Sequence, residues 1–440
     1  MSDGARARRL LDELGGEGVE QTTVAEVLVK KGRSRRTELG VQGALSVVTA
    51  EHGWAVRSGG GHGSFFTCGT GELPLSAQWP EATGPPLTLP EPQRVPSWKP
   101  GPEVEAPLLI EGEARGMLEG LERELSRRLP GSRLLRAVLD DGSSESLLVS
   151  SRGIESSFRS RSAMLFLEAV HSSNTATRTR LEVAAPEARA FEPKVLARRL
   201  ADGLKVREGE VAPARERGEM VLAPPVGAQL LAALRRLWIG PDGSSLAARL
   251  TQRGDRLASE VVNVIDDPRF AMGGLAAPID GEGMPTRREV IVEDGRFLRP
   301  LLDWRATRAG GRRPAACVRR PSWRDVPRPG FSHLYIEPDA GCSVADLVGN
   351  VARGFYLLDT LGAPRVDFES DRFAVPVCGF GLIRGQATVT VGRAWLCGGV
   401  GALLRGVRAV ARDLAFVPLD AMIGAPSLLV SGLELRRELG

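Results

Sequence analysis

Lysine is nearly missing from this 440-residue chain, supplying five of its 58 basic residues and leaving the rest to arginine. Aromatic residues make up only 5%, so the cores must rest on Leu, Val and Ala. Five cysteines (Cys68, Cys317, Cys342, Cys378, Cys397) show no CxxC spacing and leave at least one thiol unpaired. The reading is a reduced, cytoplasmic protein. No run of about 18 apolar residues occurs, which excludes a membrane-spanning helix. The first 16 residues carry scattered charge and no continuous apolar stretch, so a secretory signal is not expected there. The net charge is only +4, with 54 acidic residues interspersed. A dedicated nucleic-acid binder would cluster its basic residues, so neither direct nucleic-acid binding nor membrane binding is expected.

What is present is ordinary for a globular chain: 42% hydrophobic and 25% charged residues. The pattern predicts an α+β protein of two domains. Residues 1–215 form an N-terminal mixed sheet with helices, and residues 216–440 a β-rich C-terminal domain. Helices are expected over 5–14, 113–129, 193–202, 229–239, 344–354 and 401–412. Strands are expected over 24–30 and 35–39 around a turn at 31–33, then over 44–49 and 54–57. A hairpin over 133–140 and 145–150 should turn at Asp141-Gly142. Further strands are expected over 64–67, 162–170, 289–292, 381–383, 387–391 and 427–433. Residues 74–107 hold ten prolines and read as an extended connector.

Several residues invite chemistry. Asp280 and Glu282, two apart, could form a general acid/base pair. Gly281 and Gly283 favour a structured loop instead, and no nucleophile or metal ligand accompanies them. The run Gly59-Gly60-Gly61-His62-Gly63-Ser64 lacks the lysine and following helix of a phosphate loop and reads as a β-turn. Cys378 could be a nucleophile with His333 or His62 as base, and Cys397 another, but buried cysteine is usually packing. Asp266-Asp267-Pro268 reads as an aspartate turn. His52, His62, His171 and His333 are scattered, with no two on one helical turn.

From residue 259 the order of motifs becomes specific. Asp280-Gly281-Glu282-Gly283-Met284-Pro285-Thr286 is followed by a valine-rich strand, Glu289–Val292, and the turn Glu293-Asp294-Gly295. Next come Leu334-Tyr335-Ile336-Glu337-Pro338, the segment from Gly354 to Gly362, the stretch from Phe373 to Gly385, and Pro426–Val430. Gly53–Arg57 and Ser151-Arg152-Gly153 match shorter elements in the first half. In this order the motifs resemble the TldD/PmbA family, also called modulators of DNA gyrase.

The resemblance implies one of two subunit types. The TldD type carries a zinc motif, His-Glu-x-x-x-His, with a further cysteine; the PmbA (TldE) type lacks it. Here the corresponding helix reads Gln229-Leu230-Leu231-Ala232-Ala233-Leu234-Arg235-Arg236-Leu237, without histidine, glutamate or cysteine. The resemblance therefore implies a non-catalytic PmbA/TldE-like subunit that pairs with a TldD-type metallopeptidase subunit and acts on unfolded peptides. Zinc is then expected in the partner, and no catalytic or metal-binding residue here. Asp280, Glu282 and Gly283 are the candidates for a peptide cleft or interface. The alternative is an autonomous peptidase or hydrolase using a cysteine or a non-standard metal site.

Overall fold

A computed structural model of the chain describes residues 2–14, 24–41, 43–75, 79–96, 108–211, 215–240, 256–270, 276–308 and 313–438. The first part is a six-stranded antiparallel sheet. It comprises β1 (Val24–Gly40), β2 (Gly43–Gly60), β3 (Gly63–Thr70), β4 (Ser132–Ser150), β5 (Glu155–His171) and β6 (Asn174–Ala185), in the order β3-β2-β1-β4-β5-β6.

Four of these strands have 17 to 19 residues, longer than expected. The expected turn at Lys31–Arg33 is absent because those residues lie inside β1, paired with β2 on one side and β4 on the other. Glu51-His52-Gly53 likewise lies within β2. The expected hairpin at Asp141-Gly142 is also absent. Asp141 is buried inside β4, where its Oδ2 accepts the Leu109 amide at 2.7 Å. Pairing overrides these local turn residues, on both sides for Lys31–Arg33 and Asp141-Gly142 and on the β1 side for Glu51-His52, a tertiary constraint.

Side chains alternate across a sheet, so directly paired residues share a face. Leu39, Leu139, Leu165 and Leu167 share one face. Helix α2 (Glu111–Arg128) packs there through Leu118, Leu121 and Leu125, and α3 (Pro193–Arg207) through Leu200 and Leu204. Helix α1 (Asp3–Leu14) brings Leu10 and Leu11 onto Val27, Val29 and Val56 of the same face. Glu26, paired with Arg57 and Ser150, belongs to the opposite face.

The rest of the chain builds an eight-stranded sheet, a second six-stranded sheet of short strands and a two-stranded ribbon. In the eight-stranded sheet, strands Arg372–Ile383, Arg353–Thr360, Arg215–Leu222, Leu428–Arg436 and Gln386–Gly398 pair in sequence, and the first also pairs with the last, so the ring closes. The six-stranded one runs from Arg296–Phe297 through Glu289–Glu293, Val264–Asp266, His333–Ile336 and Met422–Ala425 to Ala415–Pro418. Between them lies a core whose largest fully buried side chain is Trp238.

The expected helix over 229–239 begins earlier, at Pro224, where proline suits the first turn. It continues to Ala233, and a short turn, Arg235–Trp238, comes after it. The expected helices 344–354 and 401–412 are cut to Val344–Gly349 and Val400–Arg405. The residues beyond each helix are drawn into sheet pairing, as Arg353–Thr360 and Val407–Val410. The described part of the proline-dense stretch is extended and meets β3 through a bridge between Ser64 and Gly84, the Ser64 hydroxyl donating to the Pro85 carbonyl, and Trp79 stacked on Phe65. Its residues 76–78 and 97–107, and Gly273–Leu275 beside the family motif, lie outside the described residues.

Candidate functional site

Asp280, Glu282 and Gly283 sit where a loop of the second half meets the helix-free face of the first sheet. Asp280 builds the loop. Its Oδ1 accepts the amides of Glu282 at 2.9 Å and Met284 at 3.0 Å, and its Oδ2 accepts the Val318 amide at 3.3 Å. The Gly281 amide donates to the Val318 carbonyl at 2.8 Å, tying the loop to the next segment. Burial pushes the Asp280 carboxyl up to about 7; Arg319 and the two amides pull it down, but by less.

Glu282 points into the joint and is 2% exposed. Its Oε1 accepts Arg57 of β2 at 2.9 Å and Arg305 at 2.8 Å, while its Oε2 has no partner. Arg57 also lies 2.9 Å from Glu26 of β1. Arg320, from the segment after Val318, reaches the same Glu26 and donates its Nε to the Gly281 carbonyl at 2.9 Å. Two carboxylates and three guanidinium groups thus span the two halves. Burial works to raise the Glu26 pKa, but Arg57 and Arg320 together outweigh it and hold it below the usual range.

Gly283 has φ +87, and a Cβ there would come within 2.7 Å of Ile154 Cγ2 at the β4–β5 turn. Only glycine takes both that backbone and that approach without strain. Beside the joint, a cavity of about 190 Å³ is lined by Val24, Gly61, Leu87, Arg152 and Trp304 among others. The indole Nε1 of Trp304 is buried without a partner.

A second polar group lies deeper in the second half. Asp266 Oδ1 accepts the Ser332 and His333 amides, each at 3.0 Å, and Ser332 Oγ at 3.2 Å. Asp266 is therefore a buried organiser of its sheet, and only Asp267 makes the turn, accepting the Arg269 amide at 3.0 Å. His333 is fully buried among Phe270 and Phe416, with neither ring nitrogen partnered. Burial, aided by Arg319, pushes its pKa down to about 4.

The other nucleophile candidates are quiet. Cys378 is buried, its Sγ 3.9 Å from the Asp359 carbonyl, and burial raises its thiol to about 12. Burial raises Cys397 as well. A thiol held protonated is a poor nucleophile. Gly61 and His62 form the turn between β2 and β3, with Gly60 paired to Gly63 and Gly59 to Ser64.

Asp280 spends its lone pairs on backbone amides, and Glu282 is clamped between arginines. Sequence reasoning found the loop but missed Glu26, Arg57, Arg305 and Arg320. Glu26 and Arg57 offered one signal, as charged residues inside apolar alternation.

Comparison with known proteins adds three observations. The sequence model of the PmbA/TldA metallopeptidase C-terminal domain matches residues 216–437. The chain aligns with the metalloprotease TldD homolog of Buchnera aphidicola subsp. Acyrthosiphon pisum at 26% identity over 137 residues, 31% of this chain and 28% of that protein. With the Haemophilus influenzae homolog it shares 29% over 147 residues, 33% of this chain and 30% of that one. The chain thus spans under a third of the length of these curated relatives. Two solved structures share its fold. TldE from Thermococcus kodakarensis superposes with a TM-score of 0.81 at 17% identity, covering 99% of this chain and 100% of that one. A candidate DNA-gyrase modulator from Thermotoga maritima gives 0.79 at 15%, with the same coverage.

Proposed function

The chain belongs to the TldD/PmbA family, and from that premise we propose that it is a PmbA/TldE-like subunit with no peptidase centre of its own. It completes a TldD-type metallopeptidase that cleaves unfolded peptides, in the cytoplasm, where free thiols stay reduced. The carrying observation is the helix Pro224–Ala233 and the turn after it. Leu230, Leu231, Leu234, Leu237 and Trp238 are each at most 4% exposed and fill the core.

Zinc requires three or four N, S or O donors around an open position for water. This helix offers leucine, alanine and arginine instead. Among the described residues, no group of three or more His, Cys, Asp or Glu is placed to hold a metal ion. The residues present do not fit zinc, so no step of peptide cleavage is assigned to this chain. The whole-chain likeness to TldE of Thermococcus kodakarensis supports the same reading. No helix among the described residues is long and apolar enough to cross a membrane.

The test is a mixing experiment with the TldD-type subunit of the same organism. Zinc content, particle size and cleavage of an unfolded peptide are measured for each chain alone and for the mixture. The expected result is a zinc-free, inactive chain that enlarges the partner and raises its cleavage. Stoichiometric zinc with cleavage by this chain alone would overturn the proposal.

A further inference from the structure

The distal half of β2 is an open strand edge. β3 pairs with β2 only from Gly53 to Gly60, so the part from Gly43 has β1 on one side and no strand among the described residues on the other. The Gly71 amide still donates to the His52 carbonyl at 2.8 Å, which fixes the phase of the edge. In an antiparallel strand the groups alternate, so Ala44, Ser46, Val48 and Ala50 turn both N–H and C=O outward. Leu45, Val47 and Thr49 spend theirs on β1.

This edge is unguarded where the sheet's other edges are not. The opposite edge, β6, carries Arg178, Arg180 and Glu182, and the start of β3 is covered by the bridge to Gly84. Natural sheets blunt free edges with charge, proline or cover. The stretch Ala44–Ala50 has no charge and no proline. Its Leu45, Val47 and Val48 are 64%, 47% and 41% exposed, and Val41 beside it is 69% exposed.

The neighbouring strand states the charge of what fits. Lys30, Lys31, Arg33, Arg35 and Arg36 fall within seven residues of β1. Lys31 is paired with Asp3 and Arg36 with Asp140, and Arg35 donates to Ser46. Arg33 is exposed, makes no ion pair among the described residues, and stands directly across from Ala50. A residue added beyond Ala50 lies about 10 Å from Arg33, two strand spacings, which a carboxylate and a guanidinium bridge together.

We propose that Ala44–Ala50 receives an extended strand of the partner subunit. That strand has apolar side chains beside Leu45 and Val47 and a carboxylate that reaches Arg33. The inference rests on the subunit reading above and gives it an address. A second copy of this chain fits less well, since the one carboxylate of that strand, Glu51, lies on the face opposite Arg33 and is paired with Arg324, and the copy brings a like-charged neighbour. Main-chain hydrogen bonds supply the attraction, and the alternating side chains and the carboxylate supply the choice of partner.

The test uses the full chain and its TldD-type partner. Hydrogen exchange of the segment around Ala44–Ala50 is followed before and after mixing, and association is titrated for Val48→Pro, Val48→Lys and Arg33→Glu. The Val48 amide does not serve β1, so proline there spares the fold, and the lysine variant keeps the amide while guarding the edge. Exchange should slow at least tenfold in the complex, and each variant should weaken association at least tenfold. If the complex forms while the edge still exchanges freely, or all three variants bind as wild type does, this inference fails and the subunit reading stands. If no complex forms, both fall. Protection in the concentrated chain alone assigns the edge to a second copy and overturns the proposal.

Discussion

Glu282→Ala is the most direct perturbation of the joint between the two halves. Breaking a buried ion pair from one side costs about 3–5 kcal/mol, because the surviving charge stays desolvated. Here the survivor is Arg57, 4% exposed, which keeps Glu26 at 2.9 Å. The substitution also removes Oε2, which is buried without a partner, and that relief is worth about 1–3 kcal/mol. Arg305 is 41% exposed, so its share is at most about 1 kcal/mol. At the middle of these ranges the balance is a loss of about 2–3 kcal/mol, with Glu282→Gln losing less because it keeps the volume and an acceptor for Arg57. Urea unfolding of the full chain, followed by circular dichroism, reads both losses. Arg57→Met with Glu282→Leu should be less damaging than the sum of the two changes, since neither charge is left stranded. A loss below about 1 kcal/mol for Glu282→Ala, or single losses that add within about 0.5 kcal/mol, refutes this account of the joint.

Two buried groups should tilt the pH profile in opposite directions. Asp280, raised to about 7 from 3.8, binds a proton in the folded state before the unfolded state does. Its contribution is therefore largest in acid and falls by up to about 4 kcal/mol as pH rises toward 7. His333, lowered to about 4 from 6.5, contributes fully above 6.5 and loses up to about 3 kcal/mol as pH falls toward 4. Asp280→Asn should therefore steepen the loss of stability toward acid and His333→Gln should flatten it, read as urea midpoints at about pH 5 and about pH 7; parallel profiles for the three proteins would sink the assignment. Gly283→Ala should cost about 2 kcal/mol through its positive φ and the approach to Ile154. Adding Ile154→Ala should recover part of that loss, and full additivity would show that the contact carries none of it.

Helices were legible wherever a 3.6-residue apolar stripe ran long. Leu118, Leu121 and Leu125 marked α2, and all three are buried against the sheet. The strands of the first sheet were legible in kind but not in length. Lys31-Gly32-Arg33, Glu51-His52-Gly53 and Asp141-Gly142 are turn-like only while a strand is considered alone. Pairing on both flanks, for β1 and β4, makes breaking the strand cost two ladders of hydrogen bonds; at Glu51-His52 the β1 ladder alone carries the strand through. The Asp280 loop was legible as a loop because glycines flank its acids. Its partners were not, since Arg57 and Glu26 lie more than 200 positions away in sequence and no local period links them. The orphaned nitrogens of His333 left no trace in the sequence.

The long sheet therefore has two ends with opposite chemistry on its helix-free face. At the near end Glu26 and Arg57 are sealed under the second half, where Glu282, Arg305 and Arg320 complete a charge pattern that only one placement of the loop satisfies. An apolar lid would tolerate sliding by a residue. Here a one-residue slip along either strand moves Glu26 or Arg57 to the other face and strands the remaining charges, so the network fixes the register of the two halves. At the far end β2 runs past β3, and its outer backbone groups meet no strand among the described residues. A firmly registered near end holds that far edge at a defined place relative to the rest of the chain, as the proposed docking of a strand there requires.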